Sequence, residues 1–449
     1  MQRLSFAQNA RYVTCELSDS QTNLWSVVGN CKELAEYALP HRAGQNGGVN
    51  AASWVLIGLA AITVPVMFSP ALRRSRLWRA TVTPLASIIG SGFLLAGPVL
   101  GATVGSYAIP AMAGLILVGY LFGEAIRFNI AHVEPSLKTN PPRSIALLDE
   151  LSDVALALAY FVSIAYYINL FSAFFLSIFG ITSTTDINVV TSVMIIVIGL
   201  VGVVWGFRGL ENLIVHSVSL KLGLIAALVV ALVVAAFLSP AGTSTLMSAS
   251  TQVGTDQMRV VLGLLILVQG FETSRYLGDE FDGPTRIRSM RLAQLLSAGI
   301  YLVFIAAITP HFGAVGTTPL TETSVIGMLS VVGAAFAPVL IVAALASQFS
   351  ASIADTSGAA GLLVETTRTR LNHRLSVLLI TAVVIGLTWS VGIFQIVTLG
   401  SQAFVIYYIL QASVASAQAI RMGKHIRAVL FALVGIVGLA VLVFAAPAA

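Results

Sequence analysis

Ile88-Ile89-Gly90-Ser91-Gly92-Phe93 and Gln269-Gly270-Phe271-Glu272 are two short stretches, each set inside a long apolar run. A Gly-Ser-Gly sequence weakens a helix, because each glycine costs about 1 kcal/mol relative to alanine in a helix interior. A glutamate inside an apolar span is expensive unless it has a role. Flawed spans at corresponding positions of two halves of a chain are the pattern left by discontinuous central helices in a secondary transporter. The expectation is therefore two central helices, 81–100 and 259–278, each interrupted at one of these places.

The rest of the chain supports a membrane setting. Of the 449 residues 57% are hydrophobic and 10% charged, against about 25% charged in a soluble domain. Twelve apolar segments can be drawn, at 52–70, 81–100, 106–127, 153–179, 188–206, 216–238, 259–278, 292–312, 328–350, 374–397, 399–420 and 426–446. Their lengths suit membrane-spanning helices in an all-α polytopic protein. A tight hairpin is expected at Thr398–Leu399. Residues 1–51 form an N-terminal tail, and 52–70 is an extra hydrophobic segment ahead of the central spans. Residues 1–20 lack the continuous apolar core of a cleavable signal peptide.

Lys and Arg orient the spans. They cluster at Arg73, Arg74, Arg76 and Arg79, then at Arg127, Lys138 and Arg143, then at Arg208. Further clusters are Arg286, Arg288 and Arg291; Arg368, Arg370 and Arg374; and Arg421, Lys424 and Arg427. If the spans alternate, every cluster falls on one side, which the positive-inside rule makes cytoplasmic. The localisation expected is the cell membrane, multi-pass, with the tail and the C-terminus outside. The net charge of +5 reflects these loops beside an anionic leaflet and points to the lipid bilayer, not to nucleic acid. Cys15 and Cys31 lie in the tail, where they are either a pair or two incidental thiols.

Polar residues inside the spans are the candidate machinery. Gly90, Ser91 and Gly92 either free backbone N–H groups to cradle a carboxylate or let helices pack closely. Glu272 either gates, contacts substrate, or pins an unwound segment; Arg275, one turn on, has Asp279 as a candidate partner. Lys221, near the start of its span, either snorkels or is an ammonium that exchanges a proton during a transport cycle. Asp355 lies near the inner end of span 328–350, in a run with Ser347, Gln348, Ser350, Ser352, Thr356 and Ser357, and suits a proton or cation site or a wet vestibule. Glu124, Tyr166 and Tyr167 are further bundle-facing candidates, with the tyrosines ranked lower. Gln402, Tyr407, Tyr408 and Gln411 are expected to line the bundle. No Walker sequence, zinc-ligand spacing or nucleophile elbow occurs, so neither an enzyme, a cofactor nor a resident metal is expected.

These residues carry a resemblance. Ile89-Gly90-Ser91-Gly92 with Pro98, Gly270-Phe271-Glu272 leading to Asp279-Glu280 and Pro284-Thr285-Arg286, and Gly209-Leu210-Glu211 leading to Lys221 together resemble the amino acid–polyamine–organocation superfamily of transporters, over roughly residues 75–447. The resemblance implies a LeuT-like five-plus-five inverted repeat, with repeats at 81–238 and 259–420, discontinuous first and sixth core helices, and one additional C-terminal helix, 426–446. It implies that Ser91, Gly92 and Phe93, with Gly90, receive a substrate carboxylate. Gln269, Gly270, Phe271 and Glu272 would meet the amine and gate the site. Lys221 resembles the fifth-helix lysine of proton-coupled members, with Ser350 or Ser352 near its partner position. One extra segment before the core and Asp355 depart from the family's ordinary pattern.

The function expected is secondary active transport of an amino acid or related small amine, coupled to protons, by alternating access. Two alternatives stand beside it: a transporter of an inorganic cation or other organic amine on the same scaffold, and a non-transporting nutrient sensor or interaction protein. A channel is disfavoured, because no repeated filter is legible.

Overall fold

The computed structural model describes residues 50–137, 139, 142–206, 211–238, 253–278, 280–314 and 320–448. Cys15, Cys31, Lys138, Arg208, Gly209, Leu210 and Asp279, named above, lie outside them, as do the side chains of Arg73, Ser91 and Glu211.

Helix α1 (Ala51–Met67) starts at Asn50, whose side chain accepts the Ser53 N–H at 3.0 Å. This is the arrangement that favours Asn before a first helical turn. A long helical stretch follows, divided at a 3-10 turn, Gly105–Tyr107, where Gly105 takes φ +51°. The division gives α2 (Arg76–Val104) and α3 (Ala108–His132). Next come α4 (Arg143–Ser177), α5 (Thr184–Val204) and α6 (Glu211–Leu238). Helix α7 (Thr255–Gly263) is short and gives way to 3-10 turns at Leu265–Val268 and Phe271–Tyr276. The series closes with α8 (Gly283–Ile308), α9 (Phe336–Thr366), α10 (His373–Ser390), α11 (Ile393–Arg421) and α12 (His425–Phe444).

Among the described residues nine stretches are long and apolar enough to cross a membrane, α2 and α3 being counted as one. In the most apolar windows of α5, α10 and α12 only 33%, 28% and 33% of residues are buried inside the protein. So much outward-facing apolar surface on the peripheral helices is tolerated only where lipid covers it. The chain is an all-α, multi-pass membrane protein. At the centre, α4 packs along α9 and α11, and its Tyr166 and Tyr167 are fully buried. Helix α1 is a member of the bundle: Thr63 donates to the Gly223 carbonyl of α6 at 2.7 Å, and a Cβ on Gly223 would lie 2.7 Å from Val64 Cα. Its 17 residues reach about 26 Å, a little short of the roughly 30 Å hydrocarbon core.

The structure revises three expectations. Helix α2 runs unbroken through Gly90, Ser91 and Gly92, so the first core helix is not discontinuous at that place. The hairpin lies at Val391–Gly392, and Thr398 and Leu399 are inside α11; Gly392 and the extended Val391 turn the chain, where apolarity alone gave no marker. Helix α9 continues to Thr366, which puts Asp355 well inside a helix and not beyond the end of an apolar span. Hydroxyls made the sequence look less apolar there, yet Ser350, Ser352 and Thr356 donate to carbonyls of their own helix.

The basic clusters meet at one end of the bundle. Arg76 pairs with Asp282 at 3.0 Å, Arg286 with Glu134 at 2.6 Å and Arg368 with Glu150 at 3.6 Å; Lys424 Nζ lies 3.4 Å from His132 Nε2.

Candidate functional site

The break after α7 is built from one glycine and a set of side chains that receive the freed backbone. Gly270 takes φ +117°, which an L side chain rarely adopts. Broken backbone at membrane depth persists only where protein or cavity groups satisfy it. Here Ser401 accepts the Ile266 N–H at 2.8 Å and donates to the Gly263 carbonyl at 2.6 Å. The Tyr301 hydroxyl lies 2.8 Å from the Leu267 carbonyl and 2.9 Å from the Ile88 carbonyl, bridging the break to α2. Thr273 donates to the Gly270 carbonyl at 2.7 Å. Glu272 Oε2 accepts the Gly270 N–H at 2.9 Å and the Tyr408 hydroxyl at 2.9 Å. Through these two bonds Glu272 ties the backbone of the break to α11.

The Gly-Ser-Gly run of α2 lies against this break. A Cβ on Gly92 would sit 2.5 Å from Leu267 Cα, and one on Gly270 would sit 2.6 Å from the Ile88 N atom. The two glycines let two backbones touch, the close-packing option left open by the sequence. Phe93 turns away from the cavity described below, packing on Phe304 with ring centroids 4.1 Å apart. Phe271 stacks on Tyr408 at 5.2 Å. Gln269 donates to the Tyr167 hydroxyl at 2.9 Å, which brings a tyrosine given low rank in the sequence directly to the break.

On the other face of α2 lies a cavity of about 230 Å³. Its wall includes Ala86 and Ser87 of α2, Tyr160 of α4, Lys221 of α6, Thr273 and Tyr276 beyond the break, and Ser350 and Asp355 of α9. Lys221 is buried and does not snorkel; its ammonium donates to the Ala86 carbonyl at 3.0 Å and reaches Ser347 Oγ at 3.5 Å. A Cβ on Gly90 would lie 3.3 Å from this nitrogen, so the first glycine of the run makes room for the lysine head. Gln348 donates to the Gly90 carbonyl at 3.1 Å. Asp355 Oδ2 accepts the Ser163 hydroxyl of α4. Ser350 lines the cavity, whereas Ser352 faces packed protein. Thr83, Ala354 and Gly358 are exposed wall residues at the end where the basic clusters meet. Toward the other end, α2 is sealed by Phe304, Ile308 and Phe312, which lie against Gly97 and Gly101.

Other candidates go elsewhere. Glu124 does not face the bundle core: its side chain is 46% exposed and pairs with Arg127 at 3.0 Å. Arg275 pairs with Asp149 of α4 at 2.6 Å, a long-range partner that spacing did not suggest; the local candidate, Asp279, lies outside the described residues. Arg286 donates to the Arg275 carbonyl at 2.6 Å, and Tyr276 to Asp153 at 2.8 Å. This ionic cluster ties the segment after the break to α4 and α8. On α11, Tyr408 and Gln411 are buried, and Gln411 bonds to Ser152 at 2.7 Å and to Asn129 at 2.8 Å. Ser163, Tyr160 and Tyr301 escaped the sequence reading, because single hydroxyls in apolar spans are common and only their partners mark them. Among the described residues no cluster of three or more His, Cys, Asp or Glu could hold a metal.

Among the described residues the bundle combines a helix broken at Gly270, glycines at a close helix crossing, and a cavity lined by Lys221 and Asp355. The family described as APC superfamily transporter matches residues 70–445, and the chain belongs to that family; it is a membrane transporter of a small solute and not an enzyme. It is 39% identical over 353 residues to an uncharacterized protein of Aquifex aeolicus (strain VF5), an alignment covering 77% of this chain and 85% of that one. Among solved structures, a single-residue mutant of a manganese transporter from Eremococcus coleocola is similar over 82% of this chain and 88% of its own, with 13% identity and a TM-score of 0.48. The same transporter in complex with an aromatic bis-isothiourea substituted compound gives 83%, 88%, 14% and 0.49.

Proposed function

We propose that this transporter moves an amino acid or related small amine by alternating access, driven by protons. The observation that carries the reading is the buried Lys221 ammonium, which bridges the Ala86 carbonyl of α2 and Ser347 of α9 at the edge of the cavity. A lysine held there has two states with different hold on α2. Protonated, it ties α2 to α9; deprotonated, it loses a donor and the tie slackens. A group whose charge decides whether two helices stay together is what couples a proton to a conformational change.

In this reading the chain is a five-plus-five inverted repeat, 81–238 and 259–420, with α12 as an addition and α1 preceding the core. Substrate binds beside Gly90, Ser91, Gly92, Phe93, Gln269, Gly270, Phe271 and Glu272 once α2 and the Leu265–Val268 turn part; in this conformation their backbones touch and the place is closed. Lys221, Ser350 and Asp355 line one cavity and form the coupling group, with Ser352 packed behind them on α9. The open cavity end is cytoplasmic, in keeping with the basic residues gathered there, and the conformation faces inward.

The test is substrate-driven proton movement. Protein is reconstituted into vesicles containing a pH-sensitive dye, and a mixture of amino acids is added outside. Internal acidification that depends on the protein supports the reading. Uptake of label without proton movement removes the coupling. Binding without any flux would instead make the protein a sensor.

A further inference from the structure

A second cavity, of about 250 Å³, is a cleft between α3 and α8. Leu117 and Tyr120 of α3 line it together with Leu295, Ala298 and Leu302 of α8. Leu117 and Leu295 are exposed, whereas Val268 and Tyr301, which also line it, are buried. The cleft therefore opens on the outside of the bundle, where the surroundings of a membrane-spanning helix are lipid chains, and runs in to the back of the break. Val268 ends the 3-10 turn before Gly270, and the Tyr301 hydroxyl is the group that bridges that turn to α2.

Both walls change from apolar to charged in the same direction. On α8, Arg288, Arg291, Leu295, Ala298 and Leu302 follow one another at steps of three or four residues and so share a face. On α3, Leu117, Tyr120, Glu124 and Arg127 do the same. The two charged ends adjoin, since Arg291 lies 3.9 Å from Glu124 Oε2. From Arg291 to Leu302 the helix rises about 16 Å, close to half of the roughly 30 Å hydrocarbon core. The cleft and its charged mouth are thus about one leaflet deep.

The mouth carries more positive than negative charge. Arg127 is buried, and its guanidinium donates to Glu124 at 3.0 Å, to the Tyr120 carbonyl at 3.2 Å and to Gln294. Arg291 is different: its side chain is 52% exposed, and 3.9 Å to Glu124 is too long for a hydrogen bond. Arg288 is exposed as well. One carboxylate stands against three guanidinium groups, which suit a phosphate better than any other common group at a membrane surface. A water-soluble anion would gain nothing from the apolar cleft, and a choline headgroup would bring a further cation to the arginines. The occupant that matches both parts has apolar tails and a net negative head.

We propose that the cleft between α3 and α8 binds an anionic phospholipid of the cytoplasmic leaflet, its phosphate on Arg288 and Arg291 and one acyl chain along Leu295, Ala298 and Leu302 against Val268. The site is separate from the cavity lined by Lys221 and Asp355, and it stands whichever solute the protein carries. Its chain end touches the turn that leads into the break, so a lipid held there is a direct neighbour of the broken segment.

The experiment is a melting-temperature titration of the full chain, purified in detergent and washed free of lipid. The probes are phosphatidylglycerol, phosphatidylcholine with the same chains, and glycerol phosphate as a head without tails. Phosphatidylglycerol should raise the melting temperature to a plateau, phosphatidylcholine should act more weakly, and glycerol phosphate should have no effect. Arg291→Gln should weaken the phosphatidylglycerol response about five-fold, the worth of one cation at a membrane surface, and leave the phosphatidylcholine response unchanged. Ala298→Phe, which fills the cleft from its wall, should weaken the response to phosphatidylglycerol; if that variant does not fold, Arg291→Gln at its half-exposed position still decides. Arg421→Gln, which removes an exposed arginine of α11, should change nothing. Equal stabilisation by the two lipids would reduce the cleft to part of a general lipid coat and overturn the proposal. So would no response to phosphatidylglycerol, an equal response to glycerol phosphate, a full response in folded Ala298→Phe, or an Arg421→Gln loss as large as that of Arg291→Gln.

Discussion

Gly90 and Gly92 are two residues apart in one helix, and substitution by alanine should move them in opposite directions. In a continuous helix each Gly→Ala change contributes about 1 kcal/mol of stability through backbone entropy. At Gly90 the new methyl meets Ser347 Oγ at 3.2 Å and Lys221 Nζ at 3.3 Å, both ends of side chains that can give by a few tenths of an ångström. Gly90→Ala should therefore keep wild-type stability or gain up to about 1 kcal/mol, while pushing the lysine head off the Ala86 carbonyl and impairing transport. At Gly92 the methyl meets Leu267 Cα and Cβ, each at 2.5 Å. Backbone cannot step aside without shifting the whole broken segment, and overpacking of this kind costs about 1–3 kcal/mol. The net for Gly92→Ala is a loss of up to about 2 kcal/mol. Thermal melting of both variants in detergent, followed by size-exclusion profiles, measures the contrast. A Gly92→Ala protein that melts above the wild-type temperature would refute the close crossing of α2 and the Leu265–Val268 turn.

Three further outcomes follow from the same geometry. Arg275→Ala should leave Asp149 buried without its partner and lower stability by about 3–5 kcal/mol, the cost of orphaning a buried charge; a change in melting temperature too small to resolve would contradict the tie between the broken segment and α4. Tyr408→Phe should remove one hydrogen bond from Glu272 at nearly constant packing, a loss of about 1.5–3 kcal/mol for a bond to a charged acceptor, read in the same melting assay. Lys221→Ala should fold and insert yet fail to accumulate substrate against a gradient; undiminished accumulation would take Lys221 out of coupling.

Much of the architecture was legible from apolar run length alone, because a helix crossing a bilayer must be long and apolar whatever surrounds it. Helix-end chemistry was harder. The turn at Val391–Gly392 is hidden in a stretch that is apolar on both sides, and the hydroxyls of α9 mimicked a helix end while bonding to their own backbone. Of the two flawed spans, the Gly270 position was read correctly as a break, since a glutamate two residues on supplies the acceptor that the freed N–H needs. The Gly90–Gly92 run was not a break. Glycine relaxes both backbone conformation and the distance of closest approach, and sequence cannot say which freedom is used; Leu267 on the other side of the contact decides it. Within the site, Lys221 and Asp355 stood out as charges in apolar surroundings. Their partners Ala86 and Ser163 are more than a hundred positions away in the chain, and no local pattern announces such pairs.

The most direct test of the central claim is accumulation of labelled amino acids in proteoliposomes, with and without an inward proton gradient, wild type beside Lys221→Ala. The account predicts accumulation by the wild type that rises with the gradient, collapses with an uncoupler, and is lost in the variant. Accumulation indifferent to the proton gradient, or retained by Lys221→Ala, would contradict it.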